Sequence, residues 1–176
     1  MASVGGHSVL VVPVPALEGC IRARWQHYDV AWVSRDPDFT HAHITALAPF
    51  LAAPTPDDLA RVGSVAASVP AFDFVLDSVA TFANGLIHLP PEPAAPFAEL
   101  TARLWAEFPQ CPPYDGLFDP VPHLTVDQTA PGVSEEGVRG ELTGQLPVSC
   151  RADRLELHWY AEGDCRVLES WKLGAG

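Results

Sequence analysis

Apolar residues recur along this chain with two spacings, one near 3.6 residues and one of two. They mark the buried stripe of a helix and the buried face of a strand. Ser8 to Val14 is a short apolar run bounded by proline and reads as a buried strand. Between Ala16 and Tyr28, Leu17, Cys20, Ile21, Trp25 and Tyr28 keep helical spacing. Val30 to Val33 reads as a short strand and Arg35-Asp36-Pro37-Asp38 as a turn. Thr40 to Leu47 reads as a strand that Pro49 ends. A helix opens at Thr55-Pro56-Asp57-Asp58, where a hydroxyl cap, a proline at the first helical position and acids in the first turn coincide. Leu59, Val62, Val65 and Val69 form its stripe, and Pro70 closes it. Ala71 to Phe82 then alternates, Asn84-Gly85 signals a hairpin turn, and Leu86 to Leu89 is the return strand.

Past the Pro-rich connector Pro90 to Pro96, the pattern runs again. Phe97, Leu100, Leu104, Trp105 and Phe108 mark a helix, and Cys111 to Pro122 is a loop. His123 to Gln128 is a strand, and a helix opens at Ser134-Glu135-Glu136 and closes at Pro147. Arg154 to Tyr160 and Arg166 to Leu173 are strands around the turn Glu162-Gly163-Asp164. Landmarks in the two halves keep a near-constant offset. His43 and His123 are 80 residues apart, the helix starts Thr55 and Ser134 are 79 apart, and the closing prolines Pro70 and Pro147 are 77 apart. That is the signature of an internal duplication. The expectation is one bilobal domain over residues 1–176, with lobes of about 1–90 and 91–176 and strands free to exchange between them.

Two triplets fall at equivalent points of the repeat: His43-Ile44-Thr45 and His123-Leu124-Thr125. Seven His and eight Thr scattered over 176 residues would give about 0.3 such triplets by chance. In a strand, residues i and i+2 share a face, so each triplet aims an imidazole and a hydroxyl the same way and its aliphatic residue into the core. A pseudo-twofold axis between the lobes would bring both to one cleft. Imidazole titrates near neutrality. One neutral imidazole can take a proton from a nucleophile while a protonated one gives a proton to the leaving oxygen. The two Thr hydroxyls can donate to phosphoryl oxygens as charge shifts in the transition state. A phosphodiester suits this division, and the scheme requires no metal. Which imidazole is base and which acid depends on the bond that breaks.

Composition narrows the substrate. Net charge is −12 with a single lysine, Lys172. Long nucleic acid is gripped through many Lys and Arg contacts to phosphates, so a small anionic ligand is the better match. Cys20, Cys111, Cys150 and Cys165 have no paired spacing and read as reduced thiols in or near the core. No apolar run approaches membrane-spanning length, and the residues ahead of Val9 make a poor signal peptide. The expectation is a cytoplasmic monomer with no membrane partner.

The paired triplets in two similar lobes resemble the two-histidine (2H) phosphoesterase superfamily, in its 2′-5′ RNA ligase-like and cyclic phosphodiesterase branch; Pro122-His123-Leu124-Thr125-Val126 looks typical of its second motif. The resemblance implies an α+β fold with antiparallel sheets lining a central cleft and helices outside. It implies His43, Thr45, His123 and Thr125 as catalytic residues, with the two Thr binding substrate. It also implies metal-independent attack on a 2′,3′-cyclic or 2′-5′ nucleotide phosphodiester, reversible as ligation, with no cofactor. The −12 charge departs from members that grip tRNA-sized substrates and points to a small nucleotide or an RNA end. Two rival readings stand beside it: a non-catalytic module for a nucleotide or phosphorylated metabolite, and a phosphodiesterase for a non-nucleotide substrate.

Other residues are given lesser roles. His41 shares a face with His43; His-x-His can seed a metal site, but no third ligand is evident, and His41 reads as a bystander or supporting residue. Arg35, Arg151 and Arg154 are candidate phosphate cations. Phe50, Tyr114, Phe118 and Trp159 could stack a base. His7, His27, His88 and His158 are expected at the surface or satisfied in the core.

Overall fold

The computed structural model describes residues 5–175. The expectation about the amino terminus falls partly on residues 1–4, outside the described residues. In chain order the strands and helices are β1 (His7–Pro13), α1 (Glu18–Tyr28), β2 (His43–Leu47), α2 (Pro56–Ser68), β3 (Phe72–Leu76), β4 (Ala80–Thr81), β5 (Leu86–Leu89), β6 (Pro91–Glu92), α3 (Ala95–Glu107), β7 (Leu124–Gln128), α4 (Glu135–Glu141), β8 (Val148–Ala152), β9 (Arg154–Tyr160) and β10 (Arg166–Lys172). This is the expected α+β fold of helices against antiparallel sheets. A seven-stranded sheet runs β10-β9-β1-β2-β7-β5-β4, and a three-stranded sheet runs β6-β3-β8. No helix among the described residues is long and apolar enough to cross a membrane.

The period-two pattern explains how the large sheet divides its faces. On β1 both faces are buried, as the apolar run predicts. Leu10 and Val12 join Ile44 and Ala46 of β2 against Val62 and Ala66 of α2 and Leu100 and Leu104 of α3. Burying each large aliphatic side chain contributes about 1.5–3 kcal/mol. Val9 and Val11 turn the other way and pack with Phe39, Tyr160 and Cys165 in a small second cluster. Thr101 of α3 donates its hydroxyl to the Ala46 carbonyl at 2.7 Å, fixing that helix behind β2.

Five local expectations change, the first being that α4 ends at Glu141 rather than at Pro147, with turns over residues 142–147. Val30–Trp32 is a turn of 3₁₀ helix, not a strand, because the Asp29 carboxylate accepts the Ala31 N–H and bends the chain there. Ala71 to Phe82 is not one strand: β3 pairs with β6 and β8, and only β4 pairs with β5. Val148 to Ala152 is a strand that the sequence hides, since its inward residues Val148, Cys150 and Ala152 are too small to announce a buried face. The Pro-rich connector itself contributes β6. The Asn84-Gly85 turn is as expected, with Gly85 at φ +89, a conformation open to glycine.

The cap of α2 is a full capping box: Thr55 accepts the Asp58 N–H, and the Asp58 carboxylate accepts the Thr55 N–H at 2.9 Å. Replacing Thr55 with Ala should lower stability by about 1 kcal/mol. This is read as a lower urea midpoint with an unchanged slope.

Candidate active site

The centre of the large sheet is the pairing of β2 with β7. Ile44 stands opposite Leu124, both fully buried. Carried one residue each way, that register sets His43 opposite Thr125 and Thr45 opposite His123, which lies just ahead of β7, with all four off the core face. The four side chains form a square, with the imidazoles on one diagonal and the hydroxyls on the other. Diagonal neighbours across such a ladder stand about 7–8 Å apart at their Cβ atoms. A phosphorus atom above the centre would have an imidazole on each of two opposite sides. The four nominated residues thus come together, and their order around the square follows from the register.

Both imidazoles are held by the same device. Nδ1–H of His43 donates to the His41 carbonyl at 2.8 Å, and Nδ1–H of His123 donates to the Val121 carbonyl at 2.7 Å. Each bond reaches two residues back along its own chain and leaves Nε2 as the free nitrogen. His43 is half-buried, and its desolvation, reinforced by the nearby imidazole of His158, pushes its pKa down to about 4. Burial also lowers the pKa of His123, with His88 adding to the shift against the opposing bond to Val121.

Each of the two therefore has a second histidine beside it. His158 of β9 is fully buried, with its ring 6.2 Å from that of His43. Its Nε2–H donates to Glu156 at 3.0 Å. Burial alone would raise the Glu156 carboxyl, but the hydrogen bonds from His158 and Arg154 outweigh it and hold the group below its usual range. His88 of β5 lies opposite Thr125, its ring 5.5 Å from His123 and stacked on Phe82 at 3.7 Å. The sequence pattern alone places these two among ordinary core or surface histidines. A signal for His158 is nonetheless present: Glu156, His158 and Tyr160 alternate with Leu155, Leu157 and Trp159, a polar row on a buried strand.

The remaining nominations separate. His41 does not share the face of His43, because β2 starts only at His43. It is buried, donates from Nδ1 to Glu18 at 2.8 Å and accepts the Ser34 N–H at Nε2. Its part in the site is its carbonyl, which orients His43. Arg151 pairs with Asp73 on the three-stranded sheet, Arg154 with Glu156, and Arg35 is exposed in its turn. Arg24, nearer the cleft, is engaged by Asp127 and Glu141. Among the described residues, no group of three or more His, Cys, Asp or Glu is placed to hold a metal ion. Phe50 packs in the core on Phe108, whereas Tyr114 and Phe118 line a cavity beside His123.

Comparison with known proteins bears on this arrangement. The fold is that of E. coli LigT: the structure complexed with 3′-AMP superposes with a TM-score of 0.57 at 18% identity, covering 96% of this chain and 98% of that one. The LigT complex with ATP gives 0.54 at 19% identity over 95% and 97%. TT0787 of Thermus thermophilus gives 0.56 at 16% identity over 96% and 98%. A comparison with curated proteins gives no match. Residues 13–164 match the model of the 2′-5′ RNA ligase superfamily, and the chain belongs to that family.

The lowered pKa of His43 has a stability consequence whose sign is fixed. Between about pH 6.5 and about 4 the unfolded chain takes up a proton at this residue that the folded protein does not. Its contribution is therefore fully present above about pH 6.5 and is lost as pH falls toward 4. Imidazole resonances followed by NMR should show His43 titrating near pH 4. In His43→Gln, the fall of the urea midpoint over this interval should be shallower.

Proposed function

We propose that this protein is a phosphoesterase that hydrolyses, or forms in reverse, a 2′,3′-cyclic or 2′-5′ nucleotide phosphodiester by two-histidine acid/base catalysis. The observation that carries this reading is the square of His43, Thr125, Thr45 and His123 on the exposed face of the β2–β7 pairing. Phosphorus sits over its centre. His43, held neutral, takes the proton of the attacking hydroxyl or water through Nε2. His123, its proton retained by the charge of the bound phosphate, protonates the departing oxygen on the opposite diagonal corner. Thr45 and Thr125 donate to the two non-bridging oxygens, where negative charge accumulates. Nucleotide complexes of LigT support a small nucleotide as ligand. The reading extends to a cytoplasmic monomer that acts on small nucleotides or RNA ends rather than long nucleic acid, and that needs no metal or cofactor.

His43→Ala and His123→Ala should each lower kcat on a 2′,3′-cyclic nucleotide by about 10²–10⁴-fold, with the fold retained by circular dichroism. Wild-type rate should be unaffected by EDTA. Its pH profile should be bell-shaped, with an acid limb set by His43 and an alkaline limb that His123→Ala removes. Loss of turnover on chelation would overturn the mechanism. Saturable nucleotide binding without turnover of any diester would make the protein a binding module instead.

A further inference from the structure

Three residues of the square, His43, Thr45 and Thr125, stand in the wall of one cavity of about 510 Å³. That volume falls within the range of small-molecule pockets, about 300–1,000 Å³. The rest of the wall is not built for a phosphate. Trp25, Tyr28, Trp32 and Tyr160 supply aromatic rings and Asp29 a carboxylate, and among the described residues no Lys or Arg takes part. Tyr28 is 59% exposed. A large ring left open to water is characteristic of a surface that something covers.

Three features of this wall favour positive charge, and each has its own origin. Helix α1 ends here, since Trp25 and Tyr28 belong to its last turn and Asp29 caps it. The aligned peptide dipoles of a helix leave a partial negative charge at that end. Asp29 adds a full one, and its carboxylate is held in place by the Ala31 N–H at 2.9 Å. The rings make the third contribution, because an aromatic face attracts a cation within about 6 Å of its centroid. Trp25 and Tyr160 stand together, with centroids 5.9 Å apart. The Tyr28 hydroxyl donates to the Asp127 carboxylate at 2.6 Å, which raises its pKa and makes its ring richer in electrons. Arg24 does not reverse this field. It is paired with both Asp127 and Glu141, so the three together keep one negative charge.

A phosphate is repelled by such a wall and belongs over the square, with the imidazoles and hydroxyls. A neutral base uses the rings but little of the field. A group with fixed positive charge uses the rings, the carboxylate and the helix end together.

We propose that this cavity is a subsite for an organic cation, and that the phosphodiester bound at the square carries one in its organic part. The charge is spread over carbon-bearing groups, as in an N-methylated nucleobase or a trimethylammonium headgroup, the kind of cation that aromatic walls take from water. This rests on the square being the phosphate site. It sets the substrate apart by charge, whichever side of the ester the cation occupies.

The test compares 1-methyladenosine 2′,3′-cyclic phosphate, whose ring is a cation at neutral pH, with adenosine 2′,3′-cyclic phosphate. Cation–π attraction should make KM for the methylated compound about tenfold lower. Asp29→Asn, which keeps an oxygen for the Ala31 N–H, and Trp32→Leu should each shrink that ratio. Trp32→Phe, which keeps a ring, should restore it, and thermal melts should match the wild type. Glycerophosphocholine separates the two sources of the cation. Preference for the methylated nucleotide over it assigns the cation to a base. The reverse preference assigns it to a headgroup, which keeps the subsite and overturns the nucleotide reading. Equal KM for the two adenosine compounds without turnover of glycerophosphocholine would overturn the cation subsite and leave the phosphoesterase reading intact. A ratio that neither Asp29→Asn nor Trp32→Leu moves would do the same. Turnover of none of the three would overturn both.

Discussion

The structure depends on one antiparallel contact, Ile44 against Leu124. It joins strands from the two halves of the chain at the middle of the seven-stranded sheet. Because both residues are fully buried, the register cannot slip by one without exposing an aliphatic face and burying an imidazole and a hydroxyl. The hydrophobic requirement of the core therefore places His43, Thr45, His123 and Thr125. The polar groups need no contact with one another to be positioned.

Around that square, electrostatics departs from the symmetry of the backbone. Both imidazoles give up Nδ1–H to a carbonyl two residues back. Beyond that, their surroundings diverge. Behind His43 stand His158 and Glu156, a hydrogen-bonded polar row on a buried strand. Beside His123 stand His88 and the ring of Phe82. The first environment is the more desolvating, and the pKa of His43, about 4, records it. Among the described residues, no Lys or Arg lines the cavities that hold these four residues, and Arg24 is held by the buried Asp127.

Much of this is legible in the sequence because it rests on short-range patterns. The His-x-Thr triplets, the apolar run of β1, the Thr55 cap and the Asn84-Gly85 turn each carry a local physical signature. The near-constant offset of landmarks in the two halves nominates the two triplets as partners without knowledge of any contact. What escapes is decided at longer range. The split of residues 71–82 between two sheets depends on β8, which lies far along the chain and is built from small inward residues. His88 and His158 gain their places from strand order, which periodicity does not encode. His41 falls on the wrong face when a period-two argument is carried past the true start of β2.

The diagonal arrangement of the square has a further consequence. A half-turn about its centre exchanges His43 with His123 and Thr45 with Thr125, so under the proposed function a phosphodiester lying across it would meet the same groups in the same order from either direction. The motif itself has no head or tail. Polarity enters from what surrounds it: His158 stands beside His43, and His88 and Phe82 stand beside His123. A molecule of this shape can change which way round it reads a ligand by altering its walls, leaving the four central residues untouched.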